Sequence, residues 1–294
     1  MIEIKGLSHS FGKKCVLNSI DLSVGEGTVL GLVGINGAGK STLLRLLSGV
    51  YNAQKGCVEY NGASPLDFKT RQDIFFLPDD PAYSAHTTPN EMFEFYRCFY
   101  PSIDRALFDK LLSEYKIDLK GKLRNFSKGM RRQTFIALAL SVNPKYLLLD
   151  EAFDGLDPLS RKIFKEAIIE HVESNNATVI IASHSLRELE DFCDSFVLID
   201  ENRIHSHGDI AEHVGRLCKF ELAFSEAPNE AMFKGLPIVA LSIRGRFVQI
   251  VLEAESQEML CRLSALSPAV IDEMPIDFEE TFIHDVEKNR GGLK

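Results

Sequence analysis

The feature that most restricts this chain is the octapeptide Gly34-Ile-Asn-Gly-Ala-Gly-Lys-Ser41, which fits G-x-x-x-x-G-K-[ST]. It follows the nearly continuous apolar run Thr28-Val-Leu-Gly-Leu-Val33, which suits a strand buried on both faces of a parallel sheet. After it, Leu43, Leu44, Leu46 and Leu47 recur at helical spacing until Gly49. In that setting a glycine-rich backbone curls its amides around phosphate oxygens, and the helix end adds partial positive charge. Gly34, Ile35, Asn36, Gly37, Ala38 and Gly39, with Lys40, Ser41 and Thr42, are expected to cradle a nucleoside triphosphate. Lys40 would reach the β- and γ-phosphates, and the Ser41 hydroxyl would ligate Mg2+.

A triphosphate with its metal needs a carboxylate at a neighbouring strand end. Asp150, closing the apolar run Tyr146-Leu-Leu-Leu-Asp150, supplies one, directly or through water. Glu151 is next to it and would crowd the same cation, so it is assigned to orienting or polarising the attacking water, against the plainer reading of an ordinary strand-end acid.

The rest of the pattern supports an α/β fold. Ile2, Ile4 and Leu7, then Ile20, Leu22 and Val24, alternate with polar residues and predict an antiparallel β region. Ile74–Leu77, residues 178–183 and residues 196–200 read as further core strands, and their alternation with helices predicts a parallel sheet. Residues 88–142 read as helical. Thr88, Pro89 and Glu91 fit a capping box, Ser102 precedes a second helix, and a third ends at Asn143-Pro144. Ser160 is expected to cap the helix after Asp150.

Near residue 215 the alternation stops. Strands at 219–224, 238–243, 247–252 and 269–273, with a helix at 255–264, predict something like a split βαβ unit. The expected division is 1–215 and a small α+β domain at 216–294, which carries no chemical motif and is read either as scaffold or as an accessory domain.

Charge and composition exclude several classes. The chain has 294 residues, 33 Lys plus Arg against 42 Asp plus Glu, and a net charge of −9, which disfavours a generic nucleic-acid backbone binder. No window reaches the roughly eighteen uncharged apolar residues of a spanning helix, and the N-terminus lacks a basic region before an apolar run, so a cytosolic location is expected. Cys15, Cys57, Cys98, Cys193, Cys218 and Cys261 have no metal-ligand spacing and read as reduced core thiols.

Taken in order, these residues resemble the ATP-binding subunit of an ATP-binding-cassette (ABC) transporter over about residues 1–215. Asn125-Phe-Ser-Lys-Gly-Met-Arg-Arg-Gln133 is similar to the family's signature segment, Glu151-Ala-Phe-Asp-Gly-Leu-Asp157 to the segment that follows the catalytic Glu, and His184 to the switch His. Phe11 stands where the family stacks adenine, although core packing explains it equally.

The resemblance implies a P-loop NTPase with a parallel core sheet, an antiparallel β subdomain and a helical subdomain at about 88–142. It implies ATP and Mg2+ as ligands, and two head-to-tail chains, identical or paralogous. Each ATP would lie between one chain's Lys40 loop and the Ser127–Gly129 helix end of the other. His184 would touch the γ-phosphate, and Asp157 would bridge the subunits. A separate integral membrane permease would hold the protein at the inner face of the membrane. Three departures stand out: Lys128 replaces a glycine, Met130 a Gln, and Asp79 a Gln that serves the metal, a place where an acid such as Asp79 can also ligate Mg2+. Such departures are similar to those of bacterial exporter ATPases. Phe93, Phe95, Tyr96, Phe99 and Tyr100 look exposed and mark the helical segment as the expected docking place, although core packing also explains many of them.

Two other functions compete. A soluble ABC-type ATPase acting on nucleic acid or ribosomes would usually carry two cassettes or a long coiled-coil insertion, and the sequence has neither. A regulatory nucleotide-binding protein without turnover would not need both Glu151 and His184.

Overall fold

A computed structural model describes residues 1–289, with side chains through Ile283. Residues 290–294 of the expected C-terminal domain lie outside the described residues. The chain divides into one compact unit at Met1–His207 and a second beginning at Gly208.

The first unit starts with strands β1 (Ile2–Phe11) and β2 (Lys14–Val24), then β3 (Val29–Val33), helix α1 (Lys40–Leu47) and β4 (Lys55–Tyr60). Next come α2 (Phe68–Gln72), β5 (Ile74–Leu77), α3 (Pro89–Arg97), α4 (Arg105–Glu114) and α5 (Lys128–Ser141). The unit continues through β6 (Tyr146–Asp150), α6 (Pro158–Asn175), β7 (Thr178–Ala182), α7 (Leu186–Glu190), β8 (Ser195–Asp200) and β9 (Arg203–Asp209).

Alternation makes β1 and β2 amphipathic, and they pair antiparallel with Ile2 opposite Val24 and Ile4 opposite Leu22, giving a sheet of order β2-β1-β4. The fully buried strands β3, β6 and β7 form a second sheet of order β5-β6-β7-β3-β8-β9, parallel from β5 through β8. Leu43, Leu44 and Leu47 of α1 share one apolar core with Ile2 and Ile4 from the first sheet and Leu148, Ile180 and Val197 from the second. The carboxyl ends of β3, β6 and β7 therefore open on the same edge, where ligands of open α/β sheets bind.

Helices α3 to α5 form the helical region. Thr88 and Glu91 complete the expected capping box of α3. Ser102 precedes α4 as expected, and Asp104 caps it by accepting from Leu107 N at 3.0 Å. One expected cap is corrected. Asp157, not Ser160, caps α6, because Pro158 occupies the first helical position, where a missing N–H costs nothing.

The expected exposure of Phe93 is also corrected. It is buried against Phe108, with ring centroids 5.0 Å apart, and lies under the Arg105 guanidinium. Phe95 at 61% and Phe99 at 58% remain exposed, while Tyr96 and Tyr100 are half-buried against Phe75.

All six cysteines are free, but only Cys193 and Cys218 are buried. Burial raises both thiol pKa values, that of Cys218 to about 11. Cys15, Cys98 and Cys261 are exposed because they fall at a hairpin, at a helix end and on the outer side of a surface helix, so the core-thiol reading is corrected for these three.

The second unit contains α8 (Ile210–Val214), β10 (Cys218–Ala223), a 3-10 turn (Glu230–Phe233), β11 (Ile238–Arg244), β12 (Phe247–Leu252), α9 (Ser256–Ser264), β13 (Val270–Met274) and α10 (Phe278–Asn289). Its strands are ordered β11-β12-β10-β13, each antiparallel to its neighbours. β12 therefore lies between the parallel pair β10 and β11, the split arrangement expected from the sequence. Phe220, Leu222, Ile250 and Leu252 pack on Phe233, Met259 and Leu263 to form this unit's own core.

Candidate active site

The loop between β3 and α1 is shaped by close backbone approach. A Cβ on Gly34 would meet the Ile199 carbonyl at 2.4 Å. One on Gly39, whose φ is +110°, would meet the Val16 carbonyl at 2.9 Å. Gly39 provides no side-chain cap, so the first-turn amides of α1 have no side-chain acceptor. Ile35, Asn36 and Gly37 are exposed at the crest, while Ala38 and Thr42 are buried beneath it. Lys40 is buried, and its Nζ donates to the Gly34 carbonyl at 2.6 Å. Burial lowers its pKa, opposed by the charges of Glu151 and Asp150.

Ser41 Oγ donates to Asp150 Oδ1 at 3.0 Å. Asp150 is buried at the end of β6, and its Oδ2 has no partner among the described residues. Burial raises its pKa, the Ser41 hydrogen bond lowers it, and Glu151 raises it further. A buried carboxylate oxygen without a donor, beside a hydroxyl, is a set of hard oxygen ligands that fits a Mg2+ ion. The glycine cradle and uncapped helix end fit its phosphates.

Asp79 is held differently from the sequence expectation of a metal ligand. Its Oδ1 accepts from Arg132 at 2.9 Å, and the carbonyls of Pro78 and Asp79 accept from the same guanidinium at 2.9 and 2.6 Å. Arg132 is only 3% exposed. Nothing in the local pattern marked Arg132, since its partner lies 53 residues away.

Glu151 leaves β6 in the left-handed region, with φ +48°, a conformation a non-glycine side chain adopts at some cost. Its N–H donates to the Ala182 carbonyl at 2.9 Å, which pins the turn to β7. Glu151 Oε2 lies 2.9 Å from His184 Nδ1 and accepts from the His184 backbone N–H at 3.3 Å. The carboxylate raises the His184 pKa above its ordinary value. Asp154, which the sequence reading passed over, joins them, with one ligand atom of each residue within 4.8 Å of the others.

Ser127 caps α5 by accepting from Met130 N at 3.1 Å. Its helix start packs on the loop after Glu151: a Cβ on Gly129 would meet the Gly155 carbonyl at 2.5 Å, and Lys128 Nζ is 3.5 Å from Asp154. Asp157 accepts from Leu159 N, Ser160 N and Ser160 Oγ, which lower its pKa. The Ser160 hydroxyl in turn accepts from Gln133 at 2.6 Å, tying α6 to α5.

Phe11 is 49% exposed, more than a core side chain would be. It stands edge-on to His9 and Tyr51, with centroids 4.9 and 5.8 Å away. Sequence reading missed both. Their stacking on each other at 5.6 Å arises from distant segments and has no local signature.

A glycine cradle on a strand-to-helix junction, with Lys40, Ser41 and a strand-end Asp150, defines a P-loop NTPase. Residues 17–154 match the family model described as ABC transporter. The chain is 29% identical over 285 residues to the ABC transporter ATP-binding protein YtrB of Bacillus subtilis (strain 168), covering 96% of this chain and 97% of that one. It is 30% identical to the lantibiotic transport ATP-binding protein SrtF of Streptococcus pyogenes, covering 77% of this chain and 99% of SrtF. A solved structure described as the ATP binding subunit of an ABC transporter superposes with a TM-score of 0.67 at 28% identity, over 72% of this chain and 91% of that one. The chain belongs to the ABC transporter ATP-binding family, and it is an ATP-hydrolysing subunit of a transporter.

Proposed function

We propose that two copies of this chain, or this chain and a paralogue, close head to tail over two ATP molecules and drive export through a separate permease. The observation that carries this reading is the Glu151–His184 couple, 2.9 Å apart, on the same sheet edge as Lys40, Ser41 and Asp150.

Each residue has a role that follows from its place. The loop amides of residues 34–39 and Lys40 bind the β- and γ-phosphates, and Lys40 exchanges the Gly34 carbonyl for them. Ser41 and Asp150 would hold Mg2+, and Asp79 comes to it only by leaving Arg132. When bound, the cation supplies positive charge to the phosphate oxygens. Glu151 takes a proton from the attacking water, and His184 donates toward the γ-phosphate, so the water oxygen bonds to phosphorus as the bond to the bridging oxygen breaks and ADP leaves with its electron pair.

Ser127 and Gly129 offer the N-terminal end of α5 to the other chain's γ-phosphate. Asp157, at the end of the loop after Glu151 that packs against this helix start, stands at the seam, and Phe11 stacks on the base. ATP closes the pair and hydrolysis opens it.

Among the described residues no helix is long and apolar enough to cross a membrane. A permease on another chain therefore fits this reading and would hold the protein at the cytoplasmic face of the membrane. Its docking place is the groove of ≈ 520 Å³ lined by Tyr83, Met92, Phe95, Tyr96 and Phe135, near exposed Phe99. In this reading residues 1–215 are the ATPase and 216–294 an accessory domain.

Glu151→Gln tests the proposal. The expected result is a fall in ATP turnover of about a hundredfold or more, together with a stable dimer in ATP. Turnover near wild type with no trapped dimer would remove Glu151 from its role. Accumulation of substrate inside everted vesicles carrying the permease supports export, and loss from them on adding ATP would reverse the direction.

A further inference from the structure

The sheet of the second unit buries one face and leaves the other open. Residues between the core positions of each strand point outward, and strand register sets them in rows. One row runs Ser242, Gln249, Glu221, Asp272, and the next runs Arg244, Phe247, Ala223, Val270. Together they line a shallow concavity of ≈ 470 Å³. A third row ends the open area, because its Lys219 is tied to Glu280 of α10 at 2.6 Å.

This face is incomplete in two ways. Glu221 and Asp272 lie directly opposite each other on neighbouring strands, an arrangement in which like charges repel. Gln249 Nε2 donates to Glu221 at 3.4 Å, and among the described residues no ion pair relieves either carboxylate. Phe247 is 56% and Val270 51% exposed, with the small Ala223 as a hollow between them.

We propose that this face packs on the same face of a second copy. A twofold axis parallel to the strands, midway between β10 and β12, lays β12 over the partner's β10 and β11 over the partner's β13. Phe247 then fills the hollow at the partner's Ala223. Gln249 meets the partner's Glu221, and Ser242 meets the partner's Asp272. Arg244, opposite the partner's Val270, reaches the carboxylate of the partner's Asp272 one row away. The operation sets large against small and donor against carboxylate on both sides at once, which a self-complementary twofold interface requires.

Two rows across four strands span roughly 19 Å by 14 Å, about a third of what one partner contributes to a standard interface. The contact is weak by itself. It is therefore expected to form only at high chain concentration.

Sedimentation equilibrium of the full chain without nucleotide, from about 10 µM to 1 mM, covers the range expected of so small a contact. The expected result is a concentration-dependent dimer, weakened about tenfold or more by Arg244→Asp and by Asp272→Arg singly. The double variant Arg244→Asp/Asp272→Arg restores it. A wild-type chain that stays monomeric throughout, or a double variant no better than the singles, overturns the proposal, and so does occupation of the face by a peptide or small molecule. Because nucleotide is left out, these results do not depend on the seam. ATP-driven dimerisation of Glu151→Gln reports on the seam alone and would survive failure of the face.

Discussion

At Glu151 and His184 a hydrogen bond between a carboxylate and an imidazole sets the protonation of the couple. The raised His184 pKa means that the imidazolium contributes its stabilisation in full below 6.5 and loses it as pH rises through the raised value. His184 is more than half exposed, so solvent screens most of that effect on stability. In an NMR titration the His184 midpoint should lie above 6.5 and fall toward 6.5 in Glu151→Gln; an unchanged midpoint would mean the two side chains are apart in solution. The phosphate loop and Asp150 were legible because their pattern is local: a spacing of residues at a strand end. The Arg132–Asp79 pair was not, because a charged residue in a helix reads as surface until the chain brings it 2.9 Å from its acid. Tyr51 beside Phe11 was hidden for the same reason.

Between elements, α5 and the loop after β6 meet where Gly129 lies against the Gly155 carbonyl, and a methyl group on Gly129 has no room. Gly129→Ala should therefore cost about 1–3 kcal/mol through overpacking, seen as a Tm lowered by several degrees, and should cut ATP turnover by displacing Ser127 from the γ-phosphate held by the other chain. Unchanged Tm and turnover would show that the loop yields freely. Periodicity located the helices of the 88–142 region and the strands of both units, since burial imposes a repeat of 3.6 or 2 residues on the sequence. It did not locate the cap of α6, where Ser160 competed with the better-placed Asp157. Nor did it reveal which aromatics face outward: Phe93 and Phe95 are two residues apart on one helix, yet one is buried against α4 and the other exposed.

For the whole molecule, the proposed ATP sites are completed by a second chain. The open sheet face of the second unit could not be read from sequence, because its rows of charge exist only once strand register is known. The seam is tested most directly by mixing two inactive chains. Lys40→Ala lacks its own phosphate grip, and Ser127→Arg blocks the site of its partner, so each alone forms dimers with no complete site. An equimolar mixture assembles heterodimers with one intact site, and ATPase activity should recover to about a quarter of wild type per chain, as head-to-tail pairing requires. Activity no higher than the sum of the two separate samples would contradict the shared site.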